Sequence, residues 1–96
     1  MRVRVKFCGI TSVEDKDSAI KAGADAIGLV FFKDSPRFVA LEKAELIAKD
    51  TPIFVSIVGV FVNERLDFIE ECVERCNLNA VQIHVDEDVN YCLKFK

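Results

Sequence analysis

The sequence predicts an α/β domain in which parallel strands alternate with helices, and three observations lead to this prediction. Apolar runs of strand length recur along the chain, segments with apolar residues three or four apart separate them, and Gly or Pro marks the junctions. The 96 residues are 51% hydrophobic and 30% charged, which suits one packed domain and excludes intrinsic disorder. Because the formal charge is −3, nucleic acid and membranes are not expected as partners.

The first strand and helix follow from the opening residues. Residues 3–8 alternate between apolar and other side chains, which is typical of a strand. Gly9 then turns the chain into a helix that we expect to open at Thr11, with Glu14 completing a capping box. Gly23 stands just after the last predicted turn, where a left-handed residue commonly ends a helix.

The next strand and helix have equally plain limits. Residues 24–32 are apolar almost throughout, which predicts a strand covered on both faces. The turn signal Asp34-Ser35-Pro36 follows, and a second helix is indicated by an apolar stripe that ends before Pro52. That stripe consists of Leu41, Ala44, Ile47 and Ala48.

The remaining chain continues the alternation. Residues 53–62 predict a third strand, Asn63 is expected to cap a third helix, and residues 80–84 predict a fourth strand. The third helix has an apolar stripe of Leu66, Ile69, Val73 and Cys76. Residues 87–95 are interpreted as the start of a fourth helix that contains Val89 and Leu93, with the acidic run 86–88 as its first turn. The whole chain, 1–96, is thus expected to form one domain truncated in its fourth helix.

Four cysteines in so short a chain raise the question of disulfides. The N-terminus lacks the continuous apolar run of a secretory signal, so we expect a cytoplasmic protein with four reduced thiols. Cys72 and Cys76 lie four residues apart on a predicted helix, but no further Cys or His pair completes a metal site. We therefore expect both to pack in the core, and we expect no metal or cofactor.

Strict alternation of strands and helices brings the carboxyl ends of all parallel strands to one edge of the sheet, where α/β proteins carry their sites. At those ends the residues resemble the phosphoribosylanthranilate isomerase family of tryptophan biosynthesis. The resemblance covers essentially the whole chain. It rests on residues 5–11, 23–28 with 31–32 and 35–37, 58–63, and 78–84.

The resemblance implies the fold and the chemistry. The chain would be the N-terminal (βα)4 half of a TIM (βα)8 barrel, and the family's aldose-ketose isomerases convert N-(5′-phosphoribosyl)anthranilate to the 1-deoxyribulose product without a cofactor. By this resemblance Cys8 is the general base, and a thiolate beside a helix N-terminus would be favoured by the helix dipole. Arg37 would hold the anthranilate carboxylate, and His84 would lie on the substrate side. The family's acid and phosphate-binding segments belong to the second half, so the chain alone is expected to be inactive.

Other interpretations stay open. Val85 stands where the family pattern usually has glycine, which puts the loop after the fourth strand in question. The chain could instead be a non-catalytic half-barrel that self-associates through its exposed sheet edges. A doubly wound, receiver-type domain has a suitable length, but Cys8 stands where a receiver needs acidic residues. A barrel enzyme for another phosphorylated sugar is a further alternative.

Overall fold

The computed structural model describes residues 3–84 and the backbone of residues 90–94. The elements alternate along the chain as predicted, up to the fourth strand. The strands are β1 (Lys6–Cys8), β2 (Ala26–Val30), β3 (Ser56–Val62), β4 (Ala80–His84) and β5 (Asn90–Lys94). The helices are α1 (Val13–Lys21), α2 (Leu41–Ala48) and α3 (Leu66–Cys76). None of the helices in the described ranges is long and apolar enough to cross a membrane.

The five strands form one sheet in the order β1-β2-β3-β4-β5. Strands β1 to β4 are parallel, which confirms the prediction from the alternation of elements. β1 lies at the edge and each later strand joins its predecessor. A doubly wound domain reverses its strand order in the middle of the sheet, so this order excludes the receiver-type alternative.

The two faces of the sheet are covered differently. Most odd-numbered residues of β2, β3 and β4 are buried in one core with α1, α2 and α3, whereas Phe7 of β1 is 38% exposed. The buried strand residues include Ile27, Leu29, Ile57, Phe61 and Val81. Even-numbered residues of β1–β4 share the opposite face, which we call the inner face. β2 was expected to be covered on both faces, but Ala26 and Val30 on its inner face are only half-buried. The strand is apolar because a parallel sheet of this kind needs burial on both sides.

Two helix starts differ from the predictions. Ser12, not Thr11, caps α1, because its extended backbone lets its side chain accept a hydrogen bond from Asp15 N at 3.0 Å. At α3 the cap is Arg65, without a side-chain hydrogen bond, while Asn63 adopts a left-handed φ of 48° before the helix.

Helix ends are better predicted. Gly23 has φ 95° and follows α1 as expected. Its N–H donates to Ile20 O, and the N–H of Ala24 donates to Ala19 O, both at 3.0 Å. These two hydrogen bonds are the Schellman pattern, which satisfies the last carbonyl groups of the helix.

Most, but not all, of the apolar residues that the sequence pattern predicts to be buried are buried. All four residues of the α2 stripe are buried. In α3, Ile69 and Cys76 are buried and Val73 is half-buried, but Leu66, the first residue of the helix, is 68% exposed. β3 starts at Ser56, so Ile53 and Phe54 lie before it and are exposed.

The fourth helix predicted over 87–95 is wrong for residues 90–94, which form β5. β5 pairs antiparallel with β4, from Ala80↔Lys94 to His84↔Asn90. An edge strand carries unpaired N–H and C=O groups, and β5 satisfies them on β4. A helix of nine residues has marginal stability on its own, so pairing with an open edge outweighs the helical pattern. Val85 and the acidic run 86–88 lie outside the described residues.

Candidate active site

Cys8 is the last residue of β1 and is exposed on the inner face. It pairs with Gly28 of β2 across the parallel ladder. Its Sγ lies over Gly28, where an added Cβ would stand only 2.9 Å from the sulfur. The thiol is therefore open to a ligand on the inner face and seated against the neighbouring strand.

The backbone after Cys8 differs from the arrangement inferred from the sequence. The N–H groups of Gly9 and Ile10 both donate to Gly28 O at 3.0 Å, so they bind β2 rather than the thiol. Gly9 has φ 83°, so the chain turns there, and α1 begins only at Val13. The thiol thus lies five residues before the helix and is not seated directly on its N-terminus.

Arg37 reaches the end of β1 from the loop after β2. A tight turn presents it: Ser35 Oγ accepts a hydrogen bond from Arg37 N at 3.1 Å, and Ser35 O accepts one from Phe38 N at 3.1 Å. At the far end of the side chain, Nη1 donates to Cys8 O at 3.3 Å. The structure therefore brings Arg37 and Cys8 together, although they are 29 residues apart in the sequence.

Arg37 also borders a cavity of about 530 Å³ between the end of β1, α1 and its own loop. Thr11 and Ser18 contribute hydroxyl groups to the lining and Asp15 contributes a carboxylate. Apart from Arg37, the other lining residues are apolar. The cavity is lined by Phe7, Gly9, Ile10, Thr11, Asp15, Ser18, Ala19, Ala22, Pro36 and Arg37. The lining comes mainly from α1 and the loops beside it, and neither Cys8 nor His84 borders the cavity.

His84 ends β4 and is half-buried. It belongs to the inner face, and its carbonyl oxygen accepts a hydrogen bond from Asn63 N at 2.8 Å. Two strands, β2 and β3, separate it from Cys8. The structure thus places all three predicted site residues at the carboxyl ends of the parallel strands, but only Cys8 and Arg37 are in contact.

Sequence reasoning missed two polar residues on the inner face. Lys6 lies two residues before Cys8, and its Nζ donates to Gln82 Oε1 at 3.3 Å. Gln82 in turn lies two residues before His84 on β4. Because alternate residues of a strand share a face, counting back by two from the predicted site residues would have found both.

The other described cysteines have a different environment from Cys8. Cys72 and Cys76 are free and buried in the core, as expected. Burial raises the pKa of Cys72 to about 12 and that of Cys76 to about 11. Of the three thiols in the described ranges, only Cys8 is exposed. No group of three His, Cys, Asp or Glu side chains within those ranges could hold a metal ion.

A family model described as N-(5′-phosphoribosyl)anthranilate (PRA) isomerase matches residues 5–96. The chain belongs to the PRA isomerase family. This confirms the resemblance inferred from the motifs at the strand ends.

Curated PRA isomerases match nearly all of the chain. The protein from Geobacter metallireducens is 50% identical over 90 residues, which are 94% of this chain and 45% of that protein. The protein from Dechloromonas aromatica is 46% identical over 95 residues, which are 99% of this chain and 46% of that protein. The chain therefore spans less than half the length of the relatives it matches.

Solved PRA isomerases share the fold. One, crystallised with reduced 1-(o-carboxyphenylamino)-1-deoxyribulose 5-phosphate, has a TM-score of 0.85 and 46% identity, covering 88% of this chain and 44% of that chain. The enzyme from Thermotoga maritima has a TM-score of 0.84 and 46% identity, with 88% and 42% covered. The half-barrel prediction is thus confirmed for the four parallel strands and three helices.

Proposed function

We propose that this chain provides the base and the carboxylate-binding side of a PRA isomerase of tryptophan biosynthesis. The contact between Arg37 Nη1 and Cys8 O is the observation that carries the proposal. It sets a guanidinium, which suits a planar carboxylate, against the backbone of the residue that carries the exposed thiol. The substrate is a small phosphorylated sugar joined to anthranilate, and the site of action is the cytoplasm.

The proposed chemistry is internal acid and base catalysis. An acid protonates the ring oxygen of the ribose, and the ring opens to an iminium at C1′. The thiolate of Cys8 then takes the proton from C2′, the C–H electrons form the C1′=C2′ bond, and the iminium nitrogen recovers its electron pair. The resulting enol tautomerises to the ketone. No atoms are gained or lost, so the reaction needs no co-reactant.

Each proposed residue has a defined task. Cys8 accepts the C2′ proton, Arg37 holds the anthranilate carboxylate, and His84 contacts the substrate from the opposite side of the inner face. We assign the acid and the phosphate-binding segments to the part of family proteins beyond the matched region. The 96-residue chain should therefore turn over little substrate alone.

A complementation assay tests this division of tasks. The chain is mixed with a purified polypeptide that comprises the remaining half of the Geobacter metallireducens enzyme, and conversion of PRA is followed by anthranilate fluorescence. We expect activity from the mixture and none from either part. Cys8→Ala should abolish it, and Arg37→Met should raise KM by at least tenfold. Arg4→Met, an exposed arginine before β1, is the matched control. Full activity of the chain alone, or of the Cys8→Ala mixture, would refute the proposal.

Self-association is a second candidate, and the edge of β1 favours it. β5 closes the edge of β4, so the two open edges expected from the sequence reduce to one. Next to that edge the apolar side chains of Val3, Val5 and Phe7 are 80%, 41% and 38% exposed. We propose that two copies pair through β1, as exposed edge strands can. Sedimentation should then show a dimer that Val5→Lys dissociates, and a monomer at working concentration contradicts the idea.

A further inference from the structure

Two of the four glycines lie beneath the side chains to which the proposed function gives chemical tasks. Gly28 faces Cys8, and an added Cβ there would stand 2.9 Å from Cys8 Sγ and 3.1 Å from Cys8 Cα. Side chains do not approach a Cβ within 3.0 Å, so an alanine at this position would displace the thiol. The sulfur has its present place only because β2 carries no side chain there.

Gly9 has the corresponding relation to Arg37. An added Cβ would stand 2.3 Å from Arg37 Cδ and 3.1 Å from Nη1. An ordinary contact begins at 3.4 Å, so the arginine side chain would have to move by about 1 Å. Because the clash falls on a flexible side chain and not on backbone, the fold can survive while the guanidinium leaves Cys8 O.

The other two glycines show that this relation is specific. Gly23 also has a positive φ, of 95°, but an added Cβ meets nothing within 4 Å. Gly59 lies against Leu78 and Phe61, both of which are buried core residues. Thus one glycine serves a helix end, one serves the core, and the remaining two adjoin Cys8 and Arg37.

We propose that Gly28 and Gly9 are positioning residues that seat the Cys8 thiol and the Arg37 guanidinium, respectively. The assignment of tasks to Cys8 and Arg37 rests on the function proposed above, but the positions themselves do not. Gly28 fixes the direction of the sulfur on the inner face. Gly9 leaves a passage through which Arg37 crosses the end of β1 to reach the carbonyl group of Cys8.

The proposed positioning of the Arg37 side chain by Gly9 is tested with a matched pair of variants. Gly9→Ala and Gly23→Ala introduce the same side chain at similar positive φ angles, so both should lower the unfolding midpoint. In NMR spectra of the 96-residue chain, nuclear Overhauser contacts between residue 9 and the Arg37 Hδ protons should vanish or rearrange in Gly9→Ala only. Unchanged Arg37 coupling constants and contacts in Gly9→Ala would overturn the proposal.

A ligand measurement separates this proposal from the function on which it rests. Anthranilate is titrated into the chain and its dissociation constant is measured by NMR. Gly9→Ala and Arg37→Met should each weaken binding by about tenfold, while Gly23→Ala should not. If Arg37→Met leaves binding unchanged, the carboxylate role of Arg37 fails, and the NMR contacts still decide whether Gly9 positions it.

The proposed positioning of the Cys8 thiol by Gly28 is tested by the conformation and reactivity of that thiol. In Gly28→Ala, the Hα–Hβ coupling constants of Cys8 should change, because the sulfur must rotate to another χ1 rotamer. Its alkylation by iodoacetamide at fixed pH should accelerate at least twofold, since the sulfur leaves the strand surface. In Gly23→Ala, the coupling constants and the rate should equal those of the unmodified chain. Unchanged coupling constants together with an unchanged rate in folded Gly28→Ala would refute the proposal.

Discussion

The buried thiols of Cys72 and Cys76 should make the folded chain lose stability in mildly alkaline solution. Cys72 is 0% and Cys76 is 2% exposed. Burial is the largest cause that raises the pKa of Cys72 from 9.0 to about 12, and the charge of Cys76 adds to it. Burial also raises the pKa of Cys76 to about 11, with a smaller contribution from Glu45.

The sign follows from proton binding in the two states. Below pH 9 both states hold these protons, and the stabilisation from the raised pKa values is fully present. As the pH rises above 9 the unfolded chain releases them first, so stability falls until the folded thiols ionise near pH 11 and 12. A pH of 10 is about one unit above the pKa of 9.0 that each thiol has in the unfolded chain. At ~1.4 kcal/mol per unit, the pair costs roughly 3 kcal/mol of unfolding free energy.

Urea unfolding under reducing conditions at pH 8 and pH 10 measures this loss. Other groups, including Lys and Tyr, also titrate in this range, so the double variant Cys72→Ala/Cys76→Ala provides the comparison. The alanines lower stability at both pH values through the lost packing, but that cost does not depend on pH. We expect the unmodified chain to lose roughly 3 kcal/mol more than the double variant between the two pH values. Equal losses in both proteins would refute the reasoning.

Two further predictions concern single contacts in the fold. Lys16 is 3% exposed and donates to Lys49 O at 2.8 Å at the end of α2, so Lys16→Met should lower the unfolding free energy by about 1 to 2 kcal/mol. Urea unfolding checks this against Lys43→Met, an exposed lysine on α2, and equal effects would count against it. Gly59→Ala would place a Cβ 2.7 Å from Leu78 Cδ1 in the core, so overpacking should cost about 1 to 3 kcal/mol in the same measurement. A change below about 0.5 kcal/mol would show that the core can accommodate it.

The parts of the fold that the sequence predicts well are those determined by local pattern plus burial. β4 has the limits expected from its apolar run, and the four residues of the α2 stripe are buried as their spacing indicates. The errors lie where two local solutions compete. Thr11 and Ser12 are both good capping residues, and only the backbone angles of the turn after Gly9 decide between them. At residues 90–94 the deciding factor is the open edge of β4, which a helical pattern cannot reveal.

The candidate site was likewise predictable only in part. The motifs place Cys8, Arg37 and His84 at or after strand ends, and parallel pairing then brings them to the end of the sheet where the strands have their carboxyl termini. Which of them touch depends on distances that no motif contains. Arg37 reaches Cys8 because Ser35 fixes its turn and Gly9 leaves room, and these are properties of three-dimensional packing.

The hydrogen bond from Lys6 Nζ to Gln82 Oε1, called the link below, shows that the sheet is curved near the candidate site. β1 and β4 are three strand spacings apart, about 14 Å in a flat sheet, and side chains stand roughly perpendicular to such a sheet. A 3.3 Å hydrogen bond between these residues therefore requires the four strands to curve towards the inner face. The curvature of a barrel is thus present in these four strands themselves. It directs Cys8 and His84 towards a common space, because each lies two residues beyond one end of the link on the same face.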